Sequence, residues 1–322
     1  MNLPLYPIKF QPILKEKVWG GTKLMKLLNK SSLASNVGES WEISDVENDI
    51  SIVSNGVLKG QSISKILQDF KEELVGQNVF QQFGNKFPLL FKFIDAKETL
   101  SVQLHPDDAL AKKRHNSFGK TEMWYIIQAD TNSELILGFN QKIDKNSFLN
   151  AIDNDQIEAI LHKEKIKQGD AFYISPGFVH AIGAGVLLAE IQQSSDVTYR
   201  IYDWSRTDFN GEMRELHIDL AIDAIDLNLF NTFRLNTLNE ELINTKYFSV
   251  HKFNTENTTL RNLKTIDSFV VYMCVSGNTE IICGDVSENL VTGETVLIPA
   301  AVEEIYFKNG NAQLLEIYVP IY

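Results

Sequence analysis

The sequence predicts a mainly β fold with short helical segments, arranged as two jelly-roll-like β-barrels that follow one another along the chain. Three observations support this class. Short apolar runs are separated by regular turn signals, only two longer segments have helical spacing, and one residue pattern occurs twice. With 322 residues, of which 44% are hydrophobic and 22% charged, the chain can bury a sizeable core without disulfides.

The spacing of apolar residues assigns the elements in chain order. Apolar residues recur every three to four positions in segments 62–83 and 144–164, which predicts a helix in each. A shorter helix is expected within 217–227, and the polar stretch 203–215 is expected to be a loop. Strands are predicted elsewhere, in this order: several within 1–57, then 91–94, 100–104, 122–128, 134–139, 166–202, and the segment from 235 onward.

A weak internal repeat relates the two halves of the chain. Residues 169–176 resemble residues 293–299, and residues 124–129 resemble residues 271–276. In each copy an apolar strand precedes a glycine turn and a second apolar strand that ends at a proline. The repeat predicts two barrels of cupin type.

The halves are expected to differ in function. We predict a catalytic domain at 1–235, with short helical insertions, and a degenerate cupin-like domain at 236–322. In the alignment of the two copies, Phe269 stands where the first copy has Glu122. The N-terminal barrel is therefore predicted to bind a metal, and the C-terminal barrel to be structural.

Charge and composition limit the class of function. The net charge of −12 argues against a nucleic-acid partner. Residues 1–7 lack a signal-peptide pattern, and no apolar run approaches the roughly 20 residues that span a membrane. Cys274 and Cys283 are too few for a disulfide framework and are expected to be buried thiols. We expect a cytoplasmic protein without a nucleic-acid or membrane partner, and an oligomeric state open between a monomer and a weak homodimer.

Four side chains that are distant in sequence form a candidate metal site. Gln103 and His105 are two positions apart in one predicted strand, so both side chains point to the same face. Glu122 opens another apolar strand, and His180 follows a turn at the entrance to a further strand. Because strand ends of a small barrel meet at its mouth, these four residues are predicted to share one ion.

The donor set suits zinc but leaves the metal open. Two imidazoles, a carboxylate and an amide oxygen can hold zinc with a position free for water or substrate. Iron or manganese accepts similar donors. Taken alone, each histidine is more often structural, whereas the joint order of the four residues favours a metal site. Three tryptophans, Trp19, Trp41 and Trp124, are expected in the core.

The motifs around these residues resemble those of type I mannose-6-phosphate isomerases, and in particular their short bacterial branch. The resemblance covers almost the whole chain, and its main segments are 18–21, 39–42, 100–107, 120–125, 177–182, 190–200 and 202–206. It implies a zinc-dependent aldose–ketose isomerase with one Zn²⁺ per subunit. The implied reaction interconverts mannose 6-phosphate and fructose 6-phosphate through a cis-enediol intermediate.

The resemblance also implies roles for individual residues. The implied zinc ligands are Gln103, His105, Glu122 and His180, the implied catalytic residues are Arg200, Glu190 and Lys120, and the implied substrate-binding residues are Lys92, Ser101 and Asp196. From the residues themselves, Lys92 is expected in a pocket because it interrupts an apolar strand. The phosphate could be held by Lys92, Lys120 or Ser101, or by Arg200. The base stays open between Glu190, Asp196 and a zinc-bound water.

Two features depart from the longer members of that family. They carry a histidine before the pocket lysine, where this chain has Gly119, so an acid–base role of that histidine does not transfer. Their large helical insertion is missing between Asn140 and Gly169. Two other functions remain as alternatives: a metal-dependent cupin oxygenase, and a non-catalytic sugar-phosphate-binding protein.

Overall fold

Each half of the chain folds into two main antiparallel β-sheets with an apolar interior between them, and the N-terminal half has a further two-stranded sheet. The computed structural model describes residues 3–228 and 233–321. The strands in the first part of the chain are β1 (Ile8–Lys9), β2 (Ile13–Gly21), β3 (Val37–Ile43), β4 (Asp45–Val46), β5 (Asp49–Ile50), β6 (Leu89–Ala96), β7 (Val102–Leu104), β8 (Glu122–Ala129), β9 (Glu134–Phe139), β10 (Leu161–Lys165), β11 (Ala171–Ile174), β12 (His180–Ile182), β13 (Val186–Gln193) and β14 (Tyr199–Tyr202).

The C-terminal half continues with strands alone. These strands are β15 (Glu241–Asn244), β16 (Ser249–Asn254), β17 (Asn257–Asn262), β18 (Val270–Ser276), β19 (Asn278–Cys283), β20 (Val286–Val291), β21 (Thr295–Ile298), β22 (Glu304–Gly310) and β23 (Gln313–Tyr318). The helices all lie earlier in the chain: α1 (Lys23–Leu28), α2 (Ile63–Phe70), α3 (Glu72–Val75), α4 (Gln77–Phe83), α5 (Asp108–His115), α6 (Lys145–Asp153), α7 (Ile157–Ile160) and α8 (Ile218–Ile222).

The sheets of each half are open, which corrects the expectation of barrels. In the N-terminal half the larger sheet has the order β11-β8-β13-β6-β2-β3, and the smaller has the order β10-β9-β12-β7-β14. In the C-terminal half the orders are β1-β21-β18-β23-β16-β15 and β17-β22-β19-β20. No pairing among the described strands joins the two sheets of a half. Each half is therefore a jelly-roll-like sandwich, a mainly β arrangement in which packing between sheets replaces closure by hydrogen bonds.

Apolar residues from both sheets fill the space between them. In the N-terminal half, Trp124 and Ile126 of β8 share a buried cluster with Leu135 and Leu137 of β9. The strands β8 and β9 are consecutive in the chain but lie in opposite sheets. All three tryptophans expected in the core are buried, with Trp124 at 0% exposure.

The helical spacing at 62–83 identified a buried face but missed two breaks. Three short helices, α2 to α4, replace the single predicted helix. The breaks lie at Lys71 and Gly76, where the backbone φ angles are 47° and 91°. A Cβ atom at Gly76 would lie 2.4 Å from the carbonyl oxygen of Asp267, so the close approach of the C-terminal half requires glycine there.

Segment 144–164 is only partly helical. Helix α6 ends at Asp153 and α7 at Ile160, and β10 begins at Leu161 in register with Phe139 of β9. The helix prediction was wrong for 161–164 because pairing with a sheet edge overrides local spacing there. Helix α5 was not predicted at all, although the Asp107 side chain caps it by accepting a hydrogen bond from the Leu110 N–H at 2.8 Å.

The strand registers refine the internal repeat. The β11-β8-β13-β6 segment of one sheet corresponds to β21-β18-β23-β16 of the other, since both have the same order. Glu122 lies opposite Ile174, and Val270 lies opposite Ile298. Val270 is thus the counterpart of Glu122, and the alignment with Phe269 was wrong by one residue. In a strand, one residue of slip moves a side chain to the other face.

The N-terminal segment contributes to both halves. Strand β1 pairs with β21 and so forms an edge of the larger C-terminal sheet. A division of the chain at residues 235 and 236 stays a prediction. Among the described residues, no helix has both the length and the apolar character needed to cross a membrane.

Candidate active site

Three of the four predicted metal ligands lie together between the two sheets of the N-terminal half. The ligand atoms of His105, Glu122 and His180 all lie within 4.8 Å of one another, and all three residues are buried. The Glu122 Oε1 atom is 3.2 Å from His105 Nε2, and Glu122 Oε2 is 3.9 Å from His180 Nε2. Glu122 comes from β8 in the larger sheet, His180 from β12 in the smaller sheet, and His105 directly follows β7.

Backbone carbonyls orient both imidazole rings. The Nδ1 atom of His105 lies 3.0 Å from the Val197 carbonyl oxygen, and Nδ1 of His180 lies 2.8 Å from the Phe178 carbonyl oxygen. An Nδ1–H group that donates to a carbonyl leaves Nε2 as the ligand atom. The Trp124 ring packs edge-on against His180, with 5.3 Å between ring centroids.

The residues of this cluster fit a divalent cation. Within the described part of the chain, Glu122 Oε2 and His180 Nε2 are buried and have no hydrogen-bond partner. Such an atom costs about 1–3 kcal/mol, which a bound cation would offset. Burial, reinforced by Lys120, lowers the pKa of His105 to about 4 despite the opposing charge of Glu122. Burial also lowers the pKa of His180. Both rings are therefore neutral near pH 7, as metal ligation requires.

Gln103 lies beside this cluster. Its Cα pairs with His180 on β12 and with Arg200 on β14, so it occupies the strand between them. Gln103 also lines the cavity that adjoins the cluster. Its role as fourth ligand stays a prediction.

A cavity of about 350 Å³ lies next to the cluster between the two sheets, and Lys120, which contacts His105 and Glu122, forms part of its wall. The six residues predicted to be catalytic or substrate-binding all line it: Lys92, Ser101, Lys120, Glu190, Asp196 and Arg200. They come from strands of both sheets and from the segments between them. The structure thus brings together every residue for which the sequence predicted a role beyond metal binding.

Lys120 connects the cavity to the histidine–glutamate cluster. Its Nζ lies 3.1 Å from His105 Nε2 and also contacts Glu122 Oε1. Burial opposes ionisation of Glu122, but Lys120 and His105 outweigh it and hold the pKa of this carboxyl well below its usual range. The Glu122 carboxylate and the Lys120 side chain therefore lie in contact with each other, and Lys120 also lines the cavity.

Glu190 is fixed at both carboxylate oxygens by its neighbours in the sheet. Its Cα pairs with Lys92 on β6 and with Trp124 on β8. Glu190 Oε1 accepts from Trp124 Nε1 at 2.9 Å, and Oε2 accepts from Lys92 Nζ at 2.9 Å. Burial opposes the charge on Lys92, but Glu190 and Glu39 outweigh it and raise its pKa, so Lys92 stays protonated.

Comparison with known proteins agrees with this arrangement. Residues 8–140 match the family described as phosphomannose isomerase type I, catalytic domain, and residues 239–319 match the mannose-6-phosphate isomerase cupin domain. Mannose-6-phosphate isomerase ManA of Bacillus subtilis is 35% identical over 92% of this chain and 94% of its own length. The chain belongs to the type I phosphomannose isomerase family.

Other family members span the same length. The mannose-6-phosphate isomerase of Streptococcus mutans is 32% identical over 96% of this chain and 97% of its own. The crystal structure of mannose 6-phosphate isomerase from B. subtilis superposes with a TM-score of 0.86 at 32% identity, covering 97% of this chain and 99% of that one. A putative mannosephosphate isomerase from Archaeoglobus fulgidus shares the fold, with a TM-score of 0.82 at 21% identity over 100% of both chains.

In this family member, the cavity wall includes residues that sequence reasoning missed. These residues are Lys15, Lys17, Glu39, Asp49 and Arg214, and the buried Trp19 and Trp41 form part of the same wall. The Lys15 and Lys92 ammonium groups lie 5.0 and 5.1 Å from the centroid of the Trp41 ring. A signal was available, since Lys15, Lys17 and Trp19 alternate along one strand and so share a face.

Gly119 leaves no space for a side chain. A Cβ atom there would lie 2.6 Å from the Asp108 nitrogen and 2.8 Å from the Asp107 carbonyl carbon. The Gly119 N–H donates to Asp108 Oδ1 at 3.0 Å, which holds the segment against the start of α5. The histidine that longer family members have before the pocket lysine therefore has no equivalent here.

Proposed function

We propose that this protein is a zinc-dependent aldose–ketose isomerase that interconverts mannose 6-phosphate and fructose 6-phosphate through a cis-enediol intermediate. The observation that carries the proposal is the buried His105–Glu122–His180 cluster, which Lys120 connects to a cavity lined by lysine, arginine and carboxylate groups. Relatives from B. subtilis and S. mutans that match over almost their whole length bear the name mannose-6-phosphate isomerase. The proposed substrate is a phosphorylated hexose, and the proposed location is the cytoplasm.

One zinc ion per subunit would be held by His105, Glu122 and His180, with Gln103 as the fourth ligand. When bound there, zinc would polarise the sugar oxygens at C1 and C2 as a Lewis acid. The support for this assignment is the pair of unpartnered buried atoms in the cluster, Glu122 Oε2 and His180 Nε2, within the described residues.

The reaction moves one proton between C1 and C2 and another between the two attached oxygens. In our proposal Glu190 takes the proton from C2 of mannose 6-phosphate and returns it to C1. Its carboxylate is suited to this task because Trp124 and Lys92 fix both of its oxygens.

Lys120 and Arg200 would supply positive charge to the bound sugar phosphate. Lys120 Nζ, next to the cluster, would donate a hydrogen bond to the developing oxyanion at C1 or C2. Arg200 lines the same cavity and would add fixed positive charge, either at these oxygens or at the phosphate group. Ser101 and Asp196, which also line the cavity, would orient the sugar hydroxyl groups.

A coupled isomerase assay with mannose 6-phosphate, run before and after chelation, tests the proposal. We expect turnover by the zinc-loaded protein, loss on chelation and recovery when zinc is added. In H105A, zinc retention and kcat/KM should each fall by at least about 10²-fold, since even partners of metal ligands are worth 10–100-fold.

The matched control is H251A. His251 lies in the C-terminal half, where it contacts Ser249 Oγ at 3.0 Å, and its loss should leave zinc content and turnover unchanged. Folded, zinc-replete wild-type protein that fails to convert mannose 6-phosphate would defeat the proposal. Oxygen uptake by that protein would instead support the oxygenase alternative, and binding without turnover would support the sugar-phosphate-binding alternative.

A further inference from the structure

The segment between β14 and α8 gathers arginine side chains around a single buried carboxylate. Asp203, only 5% exposed, accepts from Arg206 Nη2 at 2.7 Å. It also accepts from Arg214 Nε at 2.6 Å and from Arg214 Nη2 at 2.5 Å. Arg200 stands next to this group and uses Nη1 on the Glu215 carbonyl oxygen at 2.9 Å. Two guanidinium groups thus share one carboxylate, and the guanidinium of Arg200 has no carboxylate hydrogen-bonded to it among the described residues.

The lysines of the cavity wall differ, because each of them has a carboxylate of its own. The pairs are Lys15 with Asp49, Lys17 with Glu39, Lys92 with Glu190, and Lys120 with Glu122. These lysines therefore contribute little excess positive charge to a ligand.

The positive charges of Arg200, Arg206 and Arg214 are not balanced one to one by buried carboxylates in this way. Apart from Asp203, the nearest acidic side chains are largely in solvent: the Glu98 side chain is 56% exposed and lies 3.8 Å from Arg206, and the Glu215 side chain is 85% exposed. Solvent screens such exposed charges. Burial, together with the charge of Arg214, lowers the pKa of Arg200, which agrees with an excess of positive charge at this place.

Two of the three arginines reach the cavity. Arg200 and Arg214 line it, whereas Arg206 is not a lining residue and donates from Nη1 to the Thr99 carbonyl oxygen at 2.9 Å. Arg214 uses Nε and Nη2 on Asp203, which leaves Nη1 for a ligand. The Arg200 Nε atom is buried without a hydrogen-bond partner among the described residues.

The backbone of Arg200 also lies at a suitable distance from the histidine–glutamate cluster. His180, Gln103 and Arg200 are in register on three neighbouring strands. Two strand spacings separate the outer backbones by about 9–10 Å. In an open-chain hexose 6-phosphate, the phosphate is at the opposite end of the carbon chain from C1 and C2. A sugar with C1 and C2 at the cluster would therefore direct its phosphate away from it.

We infer that Arg214, together with Arg200, binds the phosphate group of the substrate and that Arg214 determines specificity for phosphorylated sugars. The inference rests on the proposed function, which supplies a hexose phosphate with C1 and C2 at the cluster. Guanidinium groups suit this task because their fork of donors matches phosphate oxygens. Lys92 and Lys120 then serve the reacting end of the sugar rather than its phosphate.

Isothermal titration of the zinc-loaded protein with a hexitol 6-phosphate, a non-reactive form of the open-chain substrate, tests the inference. R214Q should weaken binding about tenfold or more, as expected for the loss of charge-assisted hydrogen bonds. R214K, which keeps the charge but not the fork, should bind with intermediate affinity. In the isomerase assay, R214Q should raise KM for mannose 6-phosphate more than it lowers kcat.

The matched control is R206Q, which removes the same kind of side chain from the same carboxylate outside the cavity wall. It should change the Kd of the hexitol phosphate by no more than about threefold. Binding by R214Q as tight as that of wild type, or an equal loss in R206Q, would overturn the inference. A wild type that binds the hexitol phosphate through Arg214 but does not isomerise mannose 6-phosphate would defeat the proposed function alone.

Discussion

Each half of the molecule has a buried glutamate at the equivalent position of its larger sheet, but the two glutamates have different partners. In the N-terminal half, Glu190 lies opposite Trp124, and in the C-terminal half, Glu316 lies opposite Tyr272. Trp124 Nε1 donates to Glu190 at 2.9 Å, and the Tyr272 hydroxyl donates to Glu316 at 2.7 Å. Both glutamates are buried, at 3% and 1% exposure.

The difference lies in where the partner cation comes from. Glu316 accepts from Arg261 Nε at 2.7 Å and from Nη2 at 2.6 Å, and Arg261 belongs to β17 in the facing sheet. This pair spans the space between the sheets. Glu190 is paired with Lys92 of its own sheet, and the space in front of it is part of the cavity. The same arrangement of sheets therefore leaves a cavity in front of the glutamate when its cationic partner comes from the same sheet. It has a filled interior when the partner comes from the facing sheet.

The largest expected effect comes from replacing each glutamate by glutamine. E190Q should lower kcat by about 10²–10⁴-fold, because the proposed proton acceptor is lost. E316Q should leave kcat/KM unchanged but lower the free energy of unfolding by about 3 kcal/mol, because Arg261 loses its buried partner. Coupled assays and urea denaturation measure the two quantities. An equal loss of kcat in both variants would show that the halves do not differ in this way.

The pH dependence of stability gives a second test of the comparison between the halves, because Glu39 on β3 is a charged residue of the N-terminal cavity wall. Burial of the Glu39 carboxyl opposes ionisation, but Lys17, Lys92 and the Trp41 indole outweigh it and lower its pKa from 4.5 to about 2. Between these values the unfolded chain binds more protons than the folded protein. The stabilisation is therefore complete above about pH 4.5 and is lost as the pH falls towards 2.

Wild type should lose about 2 kcal/mol of unfolding free energy through Glu39 between about pH 5 and about pH 3. E39Q removes this titration, so its unfolding free energy should fall less steeply over the same range. Urea denaturation across this pH range measures both slopes. Identical slopes would mean that the charges of the N-terminal cavity wall do not stabilise the fold.

The smallest expected effect concerns the contact of the C-terminal half with the active site. The Tyr247 hydroxyl donates to Asp108 Oδ2 at 2.6 Å, and Asp108 Oδ1 accepts from the Gly119 N–H and from the Gln193 side chain. The Gln193 amide oxygen in turn accepts from the Thr121 N–H at 3.0 Å. These bonds hold the segment that carries Lys120 and leads into Glu122.

Y247F should therefore lower kcat/KM by about three- to tenfold, in proportion to one lost hydrogen bond. The matched control is Y125F, which also removes a tyrosine hydroxyl that links the halves, since Tyr125 donates to Gln313 at 2.8 Å. Y125F should stay within about twofold of wild type in kcat/KM. A larger loss in Y125F than in Y247F would contradict a positioning role for Tyr247.

The sequence by itself determined most of the local features on which the site is built. Period-two alternation predicted that Gln103 and His105 share a face, and the apolar surroundings of Lys92 predicted its inward position, at 6% exposure. Family motifs predicted the other five residues assigned to the substrate or the reaction, all of which line the cavity. These inferences concern either side-chain direction along one strand or similarity to known chains, and neither requires the packing of the sheets.

Only the tertiary structure decided which faces meet. Arg214 lies in a polar loop with no periodic signal, yet it shares Asp203 with Arg206 and lines the cavity. Glu190 and Glu316 occupy equivalent places, but their cations come from different sheets. Spacing along the chain fixes the face of each side chain, whereas contacts across a sandwich depend on how two sheets, formed by distant segments, pack against each other.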